Sequence, residues 1–157
     1  MLGVVFGNVV NVETLRQIHI YLQGATLPIT SQRQEKWDDA AACYQKAVHL
    51  QPDWARYNNL GLVWLHQNHL SKSEGALRQA LALSPDNAVV LNNLGNTLKA
   101  QGRLSEAVAC LRQAVAQRSE DAECQNNLGL ALHEQDQFTE AEACFRQALM
   151  LKPDYAE

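Results

Sequence analysis

Apolar residues recur along most of the chain at the three- and four-residue spacing of an amphipathic helix. Tyr57, Leu60, Gly61 and Trp64 form one such stripe. This spacing places the stripe on one face of a helix. The pattern predicts first helices at about 54–67, 88–101 and 122–135, and second helices at about 71–83, 105–117 and 139–151.

The predicted helices belong to a sequence that repeats every 34 residues. The tetrapeptide Asn-Asn-Leu-Gly stands at 58–61 and returns 34 and 68 residues later. Leu-Arg-Gln-Ala at 77–80 returns at 111–114, and Phe-Arg-Gln-Ala follows at 145–148. A fixed period with two helices in each copy predicts an array of stacked helix pairs.

Short turns are predicted between the two helices of each copy. The residues at these turns are Asn68, Gly102 and Asp136. All three residue types tolerate the left-handed conformation that commonly ends a helix. The first hydroxyl residues after the turns are Ser71, Ser105 and Thr139. Because a hydroxyl can accept an orphan backbone N–H, we expect these three residues to be the N-caps of the second helices.

Small residues recur where the two helices of a pair would cross. They are Gly61, Gly95 and Gly129 on the first helices, and Ala80, Ala114 and Ala148 on the second helices. Larger side chains there would push the helix axes beyond their usual separation of about 8–10 Å. The sequence therefore predicts close helix contacts at these positions, with large residues such as Leu77, Leu111 and Phe145 filling the gaps between.

This alternation of large and small residues resembles the tetratricopeptide repeat family. In the first copy the family pattern falls on Tyr57, Leu60, Gly61, Trp64, Ser73, Leu77, Ala80 and Pro85. The match covers residues 54–153 as three full repeats. The resemblance implies an all-α fold, a right-handed superhelical array of antiparallel helix pairs (an α-solenoid). It also implies that the first helices line the concave side, where extended ligands usually lie.

A half repeat precedes the three full repeats, because residues 37–53 carry the second-helix pattern 33 residues before its next copy. The partner helix would fall near 19–33, where Pro28 replaces the expected glycine. We therefore expect an irregular segment over 1–36, with one helix at about 13–23 and a loop at 24–31. The remaining units are repeats at 54–87, 88–121 and 122–155, and residues 156–157 begin a further repeat.

The asparagine pairs of the first helices are the candidate ligand-binding residues. They would form a ladder along the concave side, and a primary amide can both donate to and accept from a peptide backbone. Alternatively, one asparagine of each pair bonds to the neighbouring repeat and supports stacking. Helical spacing adds further positions to this groove. The candidate groove residues are Asn58, Asn59, Leu62, His66, Asn92, Asn93, Asn96, Lys99, Asn126, Asn127, Leu130 and His133.

Three functions fit this pattern. The first is a non-catalytic protein–protein interaction module that holds an extended peptide or partner segment in the groove. The second is a scaffold that forms homo-oligomers through the array ends, where Phe138, Phe145 and Leu149 would be exposed. The third is the substrate-recruiting arm of a larger transferase, because O-linked N-acetylglucosamine transferases carry similar asparagine ladders. A carboxylate clamp of the chaperone-binding kind is rejected, because Asn92 stands where that clamp needs lysine.

Charge and hydropathy narrow the class of partner to proteins. Residues 1–119 carry a net charge of +3 and residues 120–157 a net charge of −7, without the basic stripe that nucleic acid requires. No apolar run approaches the roughly 18 residues of a membrane helix, so membrane insertion is not expected. The apolar N-terminus lacks the cationic region of a signal peptide.

The sequence offers little catalytic or metal-binding chemistry. The four cysteines, Cys43, Cys110, Cys124 and Cys144, lack metal-site spacing, and we expect reduced thiols in a cytoplasmic protein. His66 and His69 have no evident third ligand, so no metal or other cofactor is predicted. Phosphate-binding loops and nucleophile motifs are absent from the sequence, so we predict that the chain is not an enzyme.

Overall fold

The computed structural model describes residues 31–153, and seven helices follow one another in this part of the chain. They are α1 (Ser31–Leu50), α2 (Trp54–His66), α3 (Leu70–Leu83), α4 (Ala88–Ala100), α5 (Leu104–Gln117), α6 (Ala122–Glu134) and α7 (Phe138–Leu151). The predicted first helices are α2, α4 and α6, and each packs against the second helix that follows it. Within the described range, no helix combines the length and the apolar character that crossing a bilayer requires.

Each helix pair closes over a glycine of its first helix, as predicted. A Cβ atom on Gly61 would lie 2.7 Å from Leu77 Cγ, and one on Gly95 would lie 2.5 Å from Leu111 Cγ. A Cβ on Gly129 would meet the Phe145 ring at 2.6 Å. Carbon atoms cannot approach so closely, so only glycine allows the two helices to pack at this distance.

The turns inside the pairs adopt the predicted left-handed conformation. Asn68, Gly102 and Asp136 have φ angles of 59°, 76° and 61°. The next backbone N–H then donates back to the end of the first helix. At the middle turn, the Arg103 N–H donates to the Leu98 carbonyl at 3.0 Å. This bond satisfies a carbonyl that the helix end would otherwise leave unpaired.

The predicted N-caps of the second helices are wrong. These helices begin at Leu70, Leu104 and Phe138, one residue before Ser71, Ser105 and Thr139. The residues that precede them make no side-chain cap bond. Because each first helix ends one residue earlier than predicted and only three residues follow it, the second helix has already begun when the chain reaches the hydroxyl residue.

Side-chain caps stand instead at the first helices. The cap residues are Asp53, Asn87 and Asp121, and each accepts from one or two backbone N–H groups of the first turn. Asp121 Oδ1, for example, accepts from the Glu123 N–H at 3.0 Å and from the Cys124 N–H at 3.2 Å. These caps fix the point where each new repeat begins.

Helix α1 begins at Ser31, before the predicted start at residue 37. The expectation that residues 31–36 are irregular is therefore wrong. Five of these residues (Gln-Arg-Gln-Glu-Lys) have long unbranched side chains, which lose little rotamer freedom in a helix. The predicted helix at about 13–23 and most of the predicted loop at 24–31 lie outside the described residues.

The core continues from one repeat into the next. Leu77 of α3 packs with Leu94 and Leu98 of α4 in one buried cluster. Within the same boundary, the hydroxyl oxygens of Ser73 and Thr97 lie 3.0 Å apart and both residues are fully buried. The Thr97 hydroxyl also donates to the Asn93 carbonyl at 2.9 Å, so this buried polar contact is satisfied.

An ion pair reinforces the same boundary at its surface. Arg103 Nη1 lies 2.8 Å from Glu74 Oε2, and Gln101 Nε2 donates to the same oxygen at 3.0 Å. Burial raises the pKa of Glu74, but the hydrogen bonds from Gln101, Arg103 and Arg78 outweigh it and lower that pKa to about 2. A carboxylate on α3 is thereby tied to the turn that follows α4.

Candidate peptide-binding groove

The asparagines of neighbouring repeats bond to one another. Asn93 Nδ2 donates to Asn58 Oδ1 at 2.8 Å, and Asn127 Nδ2 donates to Asn92 Oδ1 at 3.0 Å. In both cases the second asparagine of one repeat donates to the first asparagine of the preceding repeat. Because the two boundaries use the same donor and acceptor positions, this bond belongs to the repeat itself.

Most of these paired asparagines are buried. Asn58 and Asn92 are each 5% exposed, and Asn93 is 9% exposed. A buried amide requires hydrogen-bond partners, and the neighbouring repeat supplies them here. The stacking role that was the alternative for the ladder therefore describes the observed contacts of these three side chains, which have little surface left for a ligand.

Asn59 and Asn126 lie outside the bonds between asparagines. Asn59 is half-buried, and its side chain is hydrogen-bonded to the phenol of Tyr44 on α1. Burial raises the pKa of Tyr44, and the bond to Asn59 offsets part of that increase. Asn126 holds the position of Asn58 and Asn92 and is also half-buried. None of the side-chain hydrogen bonds found within residues 31–153 uses Asn126.

A second row of groove side chains lies one helical turn after the asparagine pairs. Leu62, Asn96 and Leu130 hold equivalent positions in α2, α4 and α6. Leu62 and Asn96 are half-buried, and Leu130 is 39% exposed. Two apolar side chains with an amide between them can contact the side chains and the backbone of one extended segment.

The two histidines predicted for the groove are exposed but make ring contacts. The His66 ring stacks on Trp37 of α1, with centroids 5.0 Å apart and an angle of 13° between the planes. His133 meets Phe138 edge to face, with centroids 5.2 Å apart. These contacts hold both imidazoles at the rim of the first helices. Trp37 was not predicted as a neighbour of the groove.

Charges of both signs stand beside the ladder. Lys99 Nζ lies 3.8 Å from Glu134 Oε1, and Asn92 Nδ2 lies 3.5 Å from Glu123 Oε1. Glu123 was not predicted as a groove residue, although it precedes Asn127 by one helical turn and that spacing could have revealed it. Mixed charge at close range does not favour a strongly acidic or strongly basic ligand.

Nucleophilic and metal-binding chemistry find little support in the described residues. All four cysteines are free. Burial raises the pKa of the Cys110 and Cys144 thiols, and it raises the pKa of Cys124 to about 12. A raised pKa disfavours the thiolate that attacks substrates. Between residues 31 and 153, no three His, Cys, Asp or Glu side chains cluster in a way that could hold a metal ion.

Comparisons with known proteins identify the repeat. Two family models, each described as a tetratricopeptide repeat, match residues 32–88 and 86–153. No curated protein matches the sequence.

Solved structures share the fold at low sequence identity. MamA aligns with a TM-score of 0.70 at 17% identity, over 81% of this chain and 77% of that one. YrrB, described as a TPR protein with an unusual peptide-binding site, aligns at 0.70 and 17% identity over 91% of this chain and 69% of its own. The Sgt2 TPR domain from Aspergillus fumigatus aligns with a TM-score of 0.62 at 19% identity, over 64% of this chain and 66% of that one.

At these identities the similarity to solved structures shows only the fold, whereas the two matching family models show which family the chain belongs to. The chain belongs to the tetratricopeptide repeat family, an all-α array of helix pairs that generally serves as a non-catalytic scaffold for protein interactions.

Proposed function

We propose that the concave side of α2, α4 and α6 binds an extended peptide or partner segment. The ladder asparagines Asn58, Asn92 and Asn93 would hold the repeats in register, and the ligand would lie on the neighbouring row. The residues that contact it would be Asn59, Leu62, Asn96, Asn126 and Leu130, with His66, Lys99, Asn127 and His133 beside them. The groove would contribute no covalent chemistry.

The observation that carries this proposal is the difference in accessibility between two rows on the same helices. Paired amides close the ladder, whereas Leu62, Asn96 and Leu130 stay partly accessible one helical turn away. Leu62 and Leu130 expose apolar surface to water, and covering that surface favours binding by roughly 25 cal/mol per Å². The description of YrrB as a peptide-binding protein supports the proposal by analogy.

A peptide selection tests the proposal. Random peptides of about twelve residues, long enough to span neighbouring repeats, are selected on the full chain by phage display. The selected peptide is then labelled, and its affinity is measured by fluorescence anisotropy. A double variant, Asn96→Ala with Leu130→Ala, should weaken binding by about tenfold or more, since it removes one contact on α4 and one on α6.

The matched control is Gln113→Ala with Gln147→Ala, which changes exposed residues on the second helices α5 and α7. This variant should bind the selected peptide within about twofold of the original chain. Weakening by the control alone would place the peptide on the second helices and contradict the proposal. Equal weakening by both double variants would show that the loss is not specific to the groove, and would contradict it as well.

Self-assembly is a second candidate function, and one observation favours it. Phe138 is 55% exposed and Leu149 is 41% exposed, so α7 presents an apolar face. The equivalent residues of α5, Leu104 and Val115, are half-buried beside the next repeat. Light scattering at rising concentration should show association that Phe138→Ser with Leu149→Ser removes. A monomer at every concentration would contradict it.

The third hypothesis, an arm of a larger transferase, stays a prediction from the asparagine ladder. A cytoplasmic location likewise stays a prediction from the reduced cysteines.

A further inference from the structure

A cavity of about 410 Å³ opens between α1, α2 and α3. Its apolar wall includes Tyr57, Leu60 and Trp64 of α2. Polar side chains of the two flanking helices surround the opening, among them His49 of α1 and Lys72 of α3. Pockets that bind small molecules commonly measure roughly 300–1,000 Å³, so this one has room for a large side chain.

The cavity lies on a different side of α2 from the candidate groove. Tyr57, Leu60 and Trp64 form the apolar stripe of the helix, whereas Leu62 of the groove lies about 160° around the axis from both Leu60 and Trp64. The flanking helices α1 and α3 are second helices, which stand outside the concave side. A ligand in the cavity would therefore leave the groove open.

Small residues on α3 make room for the cavity. A Cβ atom added to Gly75 would meet nothing within 4 Å, and Ala76 lies beside it in the wall. The next repeat has Ala109 and Cys110 at these two positions, and both side chains are larger. The space at this boundary is thus a feature of the α3 sequence.

The charges around the opening favour an anionic partner. Lys72 Nζ lies 6.0 Å from the centre of the Trp64 ring, which holds its positive charge over the apolar wall. No aspartate or glutamate is among the residues that line the cavity. The nearby carboxylate of Glu74 is already engaged, since Arg103 Nη1 and Arg78 Nη2 each lie 2.8 Å from one of its oxygens.

We propose that this cavity is a second docking site, which receives one aromatic or long aliphatic side chain from an acidic peptide segment of a partner protein. The side chain packs against Tyr57 and Trp64, and the carboxylates beside it meet Lys72 and His49. The two contacts have different effects. The apolar wall buries the inserted side chain, and the positive charge at the opening favours a peptide with acidic residues beside that side chain.

The test uses the full chain and a fluorescein-labelled peptide of sequence Gly-Glu-Asp-Phe-Asp-Glu, measured by anisotropy. Gly75→Leu fills the cavity on an exposed helix position, so it should preserve the fold, checked by circular dichroism, and weaken binding by about tenfold. Lys72→Glu should weaken binding by about threefold or more. A peptide with alanine for phenylalanine, and one with lysines for its four acidic residues, should each bind at least about tenfold more weakly.

Two matched variants control for effects away from the cavity. Ala109→Leu adds the same side chain at the equivalent exposed position of α5, and Lys36→Glu reverses a charge at an exposed position of α1. Both should bind the peptide within about twofold of the original chain. Weakening by Gly75→Leu with no change in Ala109→Leu supports the site.

Several results would overturn the proposal. The peptide fails to bind at about millimolar concentration, Gly75→Leu leaves the affinity unchanged, or the lysine peptide binds tightly; each of these results contradicts the site. Two rival occupants give distinct outcomes. If Phe6→Asp with Val9→Asp in the full chain raises peptide affinity about tenfold, the apolar stretch at 1–12 occupies the cavity. If light scattering shows dimers that Gly75→Leu dissociates, a second copy occupies it.

Discussion

Helices α4 and α7 contrast within one array. In α4, Leu94 and Leu98 pack into the cluster shared with α3, while Leu91 packs into another cluster with Ala114 and Cys124. In α7 the buried residues are Ala141 and Ala148. Helix α4 is enclosed by repeats on both sides, whereas α7 packs against α6 and α5 on one side only among the described helices.

This contrast shows that the burial of a helix in a repeat array depends on the neighbouring repeats more than on the sequence of the helix itself. Val115 of α5 and Leu149 of α7 hold equivalent positions and are both aliphatic. Val115 packs against the core that α6 and α7 share with α5, whereas Leu149 is 41% exposed. The same repeat position therefore contributes differently to the free energy of unfolding at different places in the array.

Truncation of one leucine in each helix should show this difference most strongly. Leu98→Ala removes a side chain that is 1% exposed, and we expect the free energy of unfolding to fall by about 2–5 kcal/mol. Leu149→Ala should lower it by less than about 1 kcal/mol, because much of that side chain already contacts water. Urea unfolding followed by circular dichroism measures both. A comparable cost at Leu149 would mean that α7 is covered in solution.

The sequence predicts most of this fold because each structural signal occurs once in every repeat and can be compared among the three copies. The three glycines of the first helices and the left-handed turns follow from side-chain size and backbone freedom, and both kinds of prediction are confirmed. The N-caps of the second helices failed because side-chain chemistry alone does not reveal that each first helix ends, and each second helix begins, one residue earlier than expected. The start of α1 at Ser31 was missed because no repeat partner marks it.

The candidate groove is less predictable for a different reason. The sequence shows two adjacent asparagines in each repeat, and either one could face a ligand. Asn93 and Asn58 are assigned to each other only by the stacking of two helices, which decides where each amide points. The cavity beside Gly75 was missed because it arises from the absence of a side chain.

Two glycines give a second contrast between enclosed and open helix surfaces. Gly95→Ala should lower the free energy of unfolding by about 1–3 kcal/mol, because its Cβ would lie 2.5 Å from the Cγ of the fully buried Leu111. Gly75→Ala should raise it by about 0.5–1 kcal/mol, because alanine favours the helix and meets no neighbour. Thermal unfolding of both variants measures the sign. Stabilisation by Gly95→Ala would show that the helix pair can relax.

The asparagine ladder offers a third comparison, with a smaller expected difference. Asn93→Ala should cost about 1–2 kcal/mol, because it removes the 2.8 Å bond and leaves the buried Asn58 amide without that donor. Asn126→Ala should cost less than about 0.5 kcal/mol, since its side chain joins no such bond within the described helices. Chemical unfolding measures both values. Equal costs would mean that Asn126 is paired in solution.

The smallest effect concerns two glutamates and pH. The pKa of Glu74 is about 2, below its ordinary 4.5, so its ion pair stabilises the fold above pH 4.5 and is lost as the pH falls towards 2. Glu74→Gln should lower the free energy of unfolding by about 1 kcal/mol or less at pH 7, and by progressively less in acid. Glu142→Gln on α7 should change it little at any pH, because Glu142 and Arg146 are both mostly exposed. Unfolding curves at pH 7, 4 and 3 separate the two variants, and a pH-independent loss in Glu74→Gln would assign its effect to packing.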